Sequence, residues 1–142
     1  MSKKLQFIVL NEYSIQKYDI AENHIVISIT SPGYTHPKLP ELKSRIGLLQ
    51  LKFHDIDKSF VSKGITYAPI SKEQAKSIWE FFSFHKDRTK AVICQCEVGV
   101  CRSPAVAAAL AKGIGQSDEK FFKYYAPNMF VYRTLLNIIK GI

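Results

Sequence analysis

The stretch AVICQCEVGVCRSPAVAAAL, Ala91 to Leu110, restricts the fold more than any other part of the chain. AVICQ is a short, β-branched apolar run that reads as a buried strand. SPAVAAALAKG reads as a helix, opened by Ser103, with Pro104 at an early position that tolerates the missing N–H, and closed near Gly113. Only a short loop containing Gly99 separates the two. A strand that turns directly into a helix belongs to chains that alternate the two elements, and the remaining sequence does so. LQFIVL (Leu5 to Leu10), HIVISIT (His24 to Thr30) and LLQLKF (Leu48 to Phe53) read as further strands. NEYSIQKYDI has room for a short helix, and SPGYTHPKLP, with three prolines and a glycine, is a loop. Ser71 and Gln74 make a capping box for a helix on which Ile78, Phe81, Phe82 and His85 recur at helical spacing. Two more helices follow, with Ser117 and Asn128 as caps. The expectation is one α/β domain over residues 1–142. It has a central, mainly parallel sheet of about four or five strands flanked by helices.

At 142 residues, with 46% hydrophobic and 23% charged residues, the chain has the composition of an ordinary soluble globular domain. The opening MSKKLQFIVLNEYS is too brief in its apolar run for a signal peptide, and no stretch approaches a membrane span. A cytoplasmic protein that does not enter membranes is expected. Three cysteines, an odd number, argue for reduced thiols rather than a disulfide scaffold. Cys94, Cys96 and Cys101 lie close together, while His24, His36, His54 and His85 are scattered singly, so no metal site is expected. The net charge of +8 suits an anionic partner. The lysines are dispersed, so a nucleic acid is allowed but not favoured.

In Cys96-Glu97-Val98-Gly99-Val100-Cys101-Arg102-Ser103 a cysteine and an arginine bracket five residues. A loop curled between a strand and a helix can turn its backbone N–H groups inward, and with the helix N-terminus these form an anion cradle. Glu97, Val98, Gly99, Val100 and Cys101 would supply the amides. Arg102 adds a planar, bidentate grip on phosphate oxygens. Cys96 at the base is then a thiolate nucleophile placed to attack phosphorus. Sheets of this kind bind ligands outside the carboxyl ends of their strands, where this loop and Asp55 both fall. Leaving-group protonation needs an acid, and Asp55 and Asp57, with His54 beside them, follow the third strand. Cys94 alternates with Cys96 along the strand and reads as core packing. Cys101 is a candidate redox partner able to form a reversible disulfide with Cys96.

The loop CEVGVCRS resembles the C-x5-R-[ST] signature of the cysteine-based protein phosphatases. HIVISITSPG, LLQLKFHDID, SKEQAKSIWEFF, CEVGVCRSPAVAAAL and APNMFVYRTLLN resemble, in the same order, segments of small bacterial and phage proteins related to dual-specificity phosphatases. The resemblance implies a phosphomonoesterase, of tyrosine or dual-specificity type, working through a phosphocysteine intermediate without metal or organic cofactor. It implies Cys96 as nucleophile, Arg102 and the loop as phosphate binders, and Asp55 as acid, because Asp55 matches the aspartate of the group's Phe-x-Asp segment. It also implies that the Ser103 hydroxyl bonds the sulfur and eases breakdown of the intermediate. The group usually has histidine before the cysteine, where this chain has Gln95. Cys101 before the arginine, with RSP, is similar to the low-molecular-weight tyrosine phosphatases, a likeness confined to the loop. The expected partner is a phosphorylated protein or another phosphomonoester. An RNA 5′-phosphatase and a phosphate-binding module without turnover are the alternatives.

Overall fold

The structure, a computed structural model, describes residues 4–141; Met1 to Lys3 and Ile142 of the expected domain lie outside the described residues. Four strands form the central sheet: β1 (Gln6–Leu10), β2 (His24–Thr30), β3 (Arg45–Lys52) and, later in the chain, β6 (Ala91–Gln95). They lie in the order β1-β6-β2-β3, and every neighbouring pair is parallel. The sheet is thus wholly parallel among the described residues, within the range expected from the sequence. β2 and β6 are buried along their whole length, which explains why both read as unbroken apolar runs rather than alternating ones.

The helices α1 (Lys72–His85), α2 (Arg102–Gly113), α3 (Glu119–Tyr124) and α4 (Met129–Lys140) complete the chain. The main core joins Phe7, Ile25, Ile27, Ile29, Val92 and Cys94 of the sheet to all four helices. The other sheet face is covered by the 3-10 turn Ser14–Lys17 and the proline-rich loop, through Ile15, Tyr18, Leu39 and Leu42 packed on Val26 and Ile93. Every residue of α2 from Arg102 to Ala111 is buried, so its alanines are the small side chains that let the sheet and α4 close on it from both sides.

Three expectations need correction. β3 begins at Arg45 rather than Leu48, because Arg45 is anchored by its guanidinium to the Tyr18 hydroxyl and the Pro40 carbonyl. α3 begins at Glu119 with Asp118 at the cap position; the Ser117 hydroxyl accepts only the Glu119 amide. α2 begins at Arg102, so Ser103 stands inside the helix and does not cap it. The segment before α1, unassigned from sequence, holds a hairpin of β4 (Phe60–Ser62) and β5 (Ile65–Tyr67). Its two-residue turn puts Lys63 and Gly64 both at positive φ, 51° and 77°. Lys-Gly is a weaker turn signal than Asn-Gly, because lysine pays strain in the left-handed region.

Candidate active site

The carboxyl ends of the four parallel strands share one edge, and the loops leaving them converge there. Residues 96–101 leave β6 next to Asn11 after β1, Ser31 after β2 and Phe53–Asp55 after β3. The shape of the 96–101 loop follows from where its carbonyls go. The Glu97 carbonyl accepts the Glu12 amide at 3.0 Å, that of Val100 the Ala126 amide at 3.0 Å, and that of Cys101 the Asn128 amide at 2.9 Å. With these oxygens drawn outward, amides turn in: those of Gly99 and Ser103 donate to Cys96 Sγ at 3.3 and 3.4 Å. The Ser103 hydroxyl lies 3.1 Å from the same sulfur. Gly99 turns at φ +77°, and a Cβ there would stand 3.1 Å from the Asn11 backbone nitrogen. Glycine is required at that point twice over, for the turn and for the close approach.

Cys96 is 2% exposed and Arg102 6%, yet both terminal nitrogens of the arginine have partners. Its Nη1 donates to the Phe53 carbonyl at 2.8 Å and to Ser31 Oγ at 3.1 Å, and its Nη2 faces Glu97 Oε1 at 3.4 Å. From sequence, phosphate is the expected anion for this arginine; the structure supplies a carboxylate from within the loop. Glu97 accordingly does more than lend an amide. Its Oε1 also accepts the Ser31 amide at 2.9 Å. Burial pushes the Glu97 carboxyl up, but the Ser31 hydrogen bonds and the Arg102 charge outweigh burial and hold it below the ordinary glutamate value. Glu97 thus helps to fix the guanidinium, together with Ser31 and Phe53.

Asp55 is exposed at the rim, with Oδ1 accepting from Asn128 Nδ2 at 2.8 Å. The same Asn128 accepts the Phe130 and Val131 amides through Oδ1, capping α4 as expected. One asparagine therefore caps a helix, ties down Asp55 and, through its own amide, holds the loop. The Cys101 thiol is pushed up first by burial and then by the neighbouring Asp55 carboxylate, which places Asp55 next to the loop. Asp57 lies in the same connection, lining a cleft with Asp55 and α4. His54 is not brought to the sulfur: its backbone and ring pair with Ala68, and its ring packs on Tyr67, pinning the hairpin to the end of β3. Burial pushes the Cys94 thiol up strongly, with a further push from Cys96, in keeping with its place in the core.

Gln95 points to the opposite sheet face, where Oε1 accepts from the Ser28 hydroxyl, which also meets His36 Nδ1 at 3.1 Å. Ser31, Phe53 and Asn11 contribute to the site and were not legible in sequence, since their role depends on four strand ends meeting. Among the described residues, no three His, Cys, Asp or Glu side chains gather as a metal centre. No described helix is long and apolar enough to cross a membrane.

No protein-family model matches this sequence, and no curated protein matches it. Solved structures do. The human tyrosine phosphatase-like serine/threonine/tyrosine-interacting protein superposes with a TM-score of 0.59 at 15% identity, over 95% of this chain and 91% of that one. PTPMT1, solved in complex with PI(5)P, superposes with a TM-score of 0.52 at 15% identity, over 83% of this chain and 77% of that one. The fold is shared. At that identity the likeness is one of architecture, a parallel sheet flanked by helices.

Proposed function

We propose that the protein is a cysteine-dependent phosphomonoesterase. The observation that carries this reading is the loop itself: a buried sulfur facing two inward amides and a hydroxyl, with a buried arginine at the end of the loop held by Glu97. Packing alone gives no reason to draw three loop carbonyls outward around a thiol.

In the proposed reaction Cys96 Sγ bonds to phosphorus as the P–O bond to the leaving group breaks, and protonated Asp55 gives its proton to the leaving oxygen. The loop amides and Arg102 hold the three equatorial oxygens, whose charge peaks in the transition state. Water then attacks phosphorus, Asp55 takes its proton, and the S–P bond breaks to release phosphate. Ser103 Oγ, already at hydrogen-bond distance from the sulfur, stabilises the departing thiolate. Asp55 is the acid in this reading, ahead of Asp57, because it adjoins Cys101 and is held by Asn128. A tyrosine-phosphorylated or dual-specificity protein substrate is the first to test. PTPMT1, solved with PI(5)P, puts a non-protein phosphomonoester beside it, and a 5′-phosphorylated RNA is the nucleic-acid case.

Phosphate release from an aryl phosphate monoester, with reductant and without added metal, tests the reading. Turnover should vanish in Cys96→Ser. In Asp55→Ala it should fall on the order of 10²- to 10³-fold, with the limb of the pH profile that reports the acid removed. Wild-type protein without turnover, in which phosphate still protects Cys96 from alkylation, would overturn it. That outcome would favour the second reading, a phosphate-binding module without turnover.

A further inference from the structure

On the sheet face away from the sulfur, three polar side chains meet beside the apolar layer of Ile15, Val26, Ile93 and Leu39. Ser28 of β2 and Gln95 of β6 are paired in register, and both are buried. His36, half-buried, reaches them from the proline-rich loop that covers this face.

The direction of the hydrogen bonds follows from distance and donor supply. Ser28 Oγ lies 2.5 Å from Gln95 Oε1. That separation suits O–H···O and is too short for an amide N–H donor, so the single Ser28 proton goes to Gln95. Ser28 Oγ is then an acceptor toward His36 Nδ1, at 3.1 Å. Burial, and after it the Lys52 charge, hold His36 below its ordinary value, so at neutral pH the ring carries one proton, on Nδ1. The chain runs one way, from His36 Nδ1–H to Ser28 Oγ–H to Gln95 Oε1.

Gln95 has no second hold. Its Nε2 is buried and without a hydrogen-bond partner among the described residues. If Ser28 ceased to donate, the whole amide would be orphaned, a state that a buried polar group escapes by turning or by moving its backbone. Gln95 immediately precedes Cys96, so such a shift reaches the sulfur. The same link bears on the arginine from its other end. The segment that carries His36 begins at Ser31, whose amide bonds Glu97 and whose hydroxyl accepts from Arg102. His36 ties that segment back to the sheet.

We propose that His36 is a positioning residue of the site: through Ser28 it fixes the Gln95 amide, and so the strand end from which Cys96 and its loop depart. The inference deepens the proposed function and rests on it for what the loop binds.

The test measures the inorganic phosphate concentration that half-protects Cys96 from alkylation, read by mass spectrometry, with turnover of the aryl phosphate alongside. His36→Phe keeps a ring without the donor, His36→Asn keeps a donor near the place of Nδ1, and Ser28→Ala removes the link. Thermal melts establish that each variant is folded. His36→Phe and Ser28→Ala should each need about tenfold more phosphate, while His36→Asn should stay within about threefold of wild type. In a Gln95→Leu background no amide needs holding, and His36→Phe should change the value by less than about twofold. Unchanged protection in folded His36→Phe and Ser28→Ala, a loss in His36→Asn as large as in His36→Phe, or an undiminished loss in the Gln95→Leu background would each overturn the proposal. The last result would leave His36 as packing alone. If His36→Phe does not fold, Ser28→Ala, which removes a single heavy atom, decides by the same ratio. Protection by phosphate without turnover would remove the enzymatic reading and leave these ratios to judge His36; no protection of the wild type would overturn both.

Discussion

Glu97 and Cys101 are the loop residues whose surroundings give them roles beyond lending an amide. The Glu97 carboxyl is held below its ordinary value chiefly because Ser31 and Arg102 overcome the burial that would raise it. A group whose folded value is depressed stabilises the fold above its unfolded value, and that contribution fades as pH falls through the folded value. Glu97→Gln should therefore lose stability relative to wild type at neutral pH. The gap should close on acidification below the ordinary glutamate range, as read from chemical denaturation at several pH values. A constant gap across pH would mean that packing, not charge, is what Glu97 contributes. Cys101 is pushed the other way, by burial and by Asp55, so at neutral pH it is a thiol. If peroxide oxidises Cys96 to a sulfenic acid, Cys101 can condense with it, losing water and forming a disulfide. Because the attacking form is the thiolate, the yield of linked Cys96–Cys101 peptide, against sulfinic Cys96, should rise with pH. Mass spectrometry showing no linked peptide at any pH would remove Cys101 from redox chemistry.

Single elements in this fold hold several functions. The connection from α3 to α4 is a loop in outline, yet it accounts for two of the loop carbonyls drawn outward and, through Asn128, for Asp55 and the start of α4. Replacing Asn128 separates these roles. Asn128→Ala removes the cap and should cost about 1 kcal/mol, whereas Asn128→Ser keeps a capping oxygen and should cost little. Both lose the side-chain amide that holds Asp55, so both should slow the proposed reaction alike, by several-fold in kcat. Equal activity in Asn128→Ser and wild type, measured with the aryl phosphate, would show that Asp55 needs no such tether. Helix capping was legible at Asn128 and at Ser71, where the full capping box forms. It failed at Ser117, which stands one residue before the cap position of α3, and at Ser103, because a hydroxyl after an arginine looks like a cap whether it faces an amide or a sulfur.

At the scale of the molecule, stability and site positioning are carried by different parts. The buried strands β2 and β6, clamped by α2, hold the core, while the β4–β5 hairpin is a separate two-stranded sheet with Phe60, Val61 and Ile65 exposed. An isolated two-stranded hairpin is marginal in water, so it depends on the His54 ties at its base. Amide hydrogen exchange should therefore be slow in β2 and β6, reached only by global unfolding, and fast in β4 and β5 through local opening. Comparable protection in both would make the hairpin part of the core.

The sequence by itself determined the parallel sheet, the helices behind it and the place of the loop between strand and helix, because period, β-branching and the strand–glycine–helix pattern are local signals. It also singled out Cys96, Arg102, Asp55 and Ser103, which the fold gathers at one sheet edge. Only the tertiary structure decided that Glu97 is the arginine's counter-charge, that Phe53 and Ser31 hold its other nitrogen, and that Asn128 reaches Asp55. Those contacts join residues as far as 73 positions apart in the chain. They exist because parallel strands deliver distant loops to one edge, a juxtaposition no local pattern records.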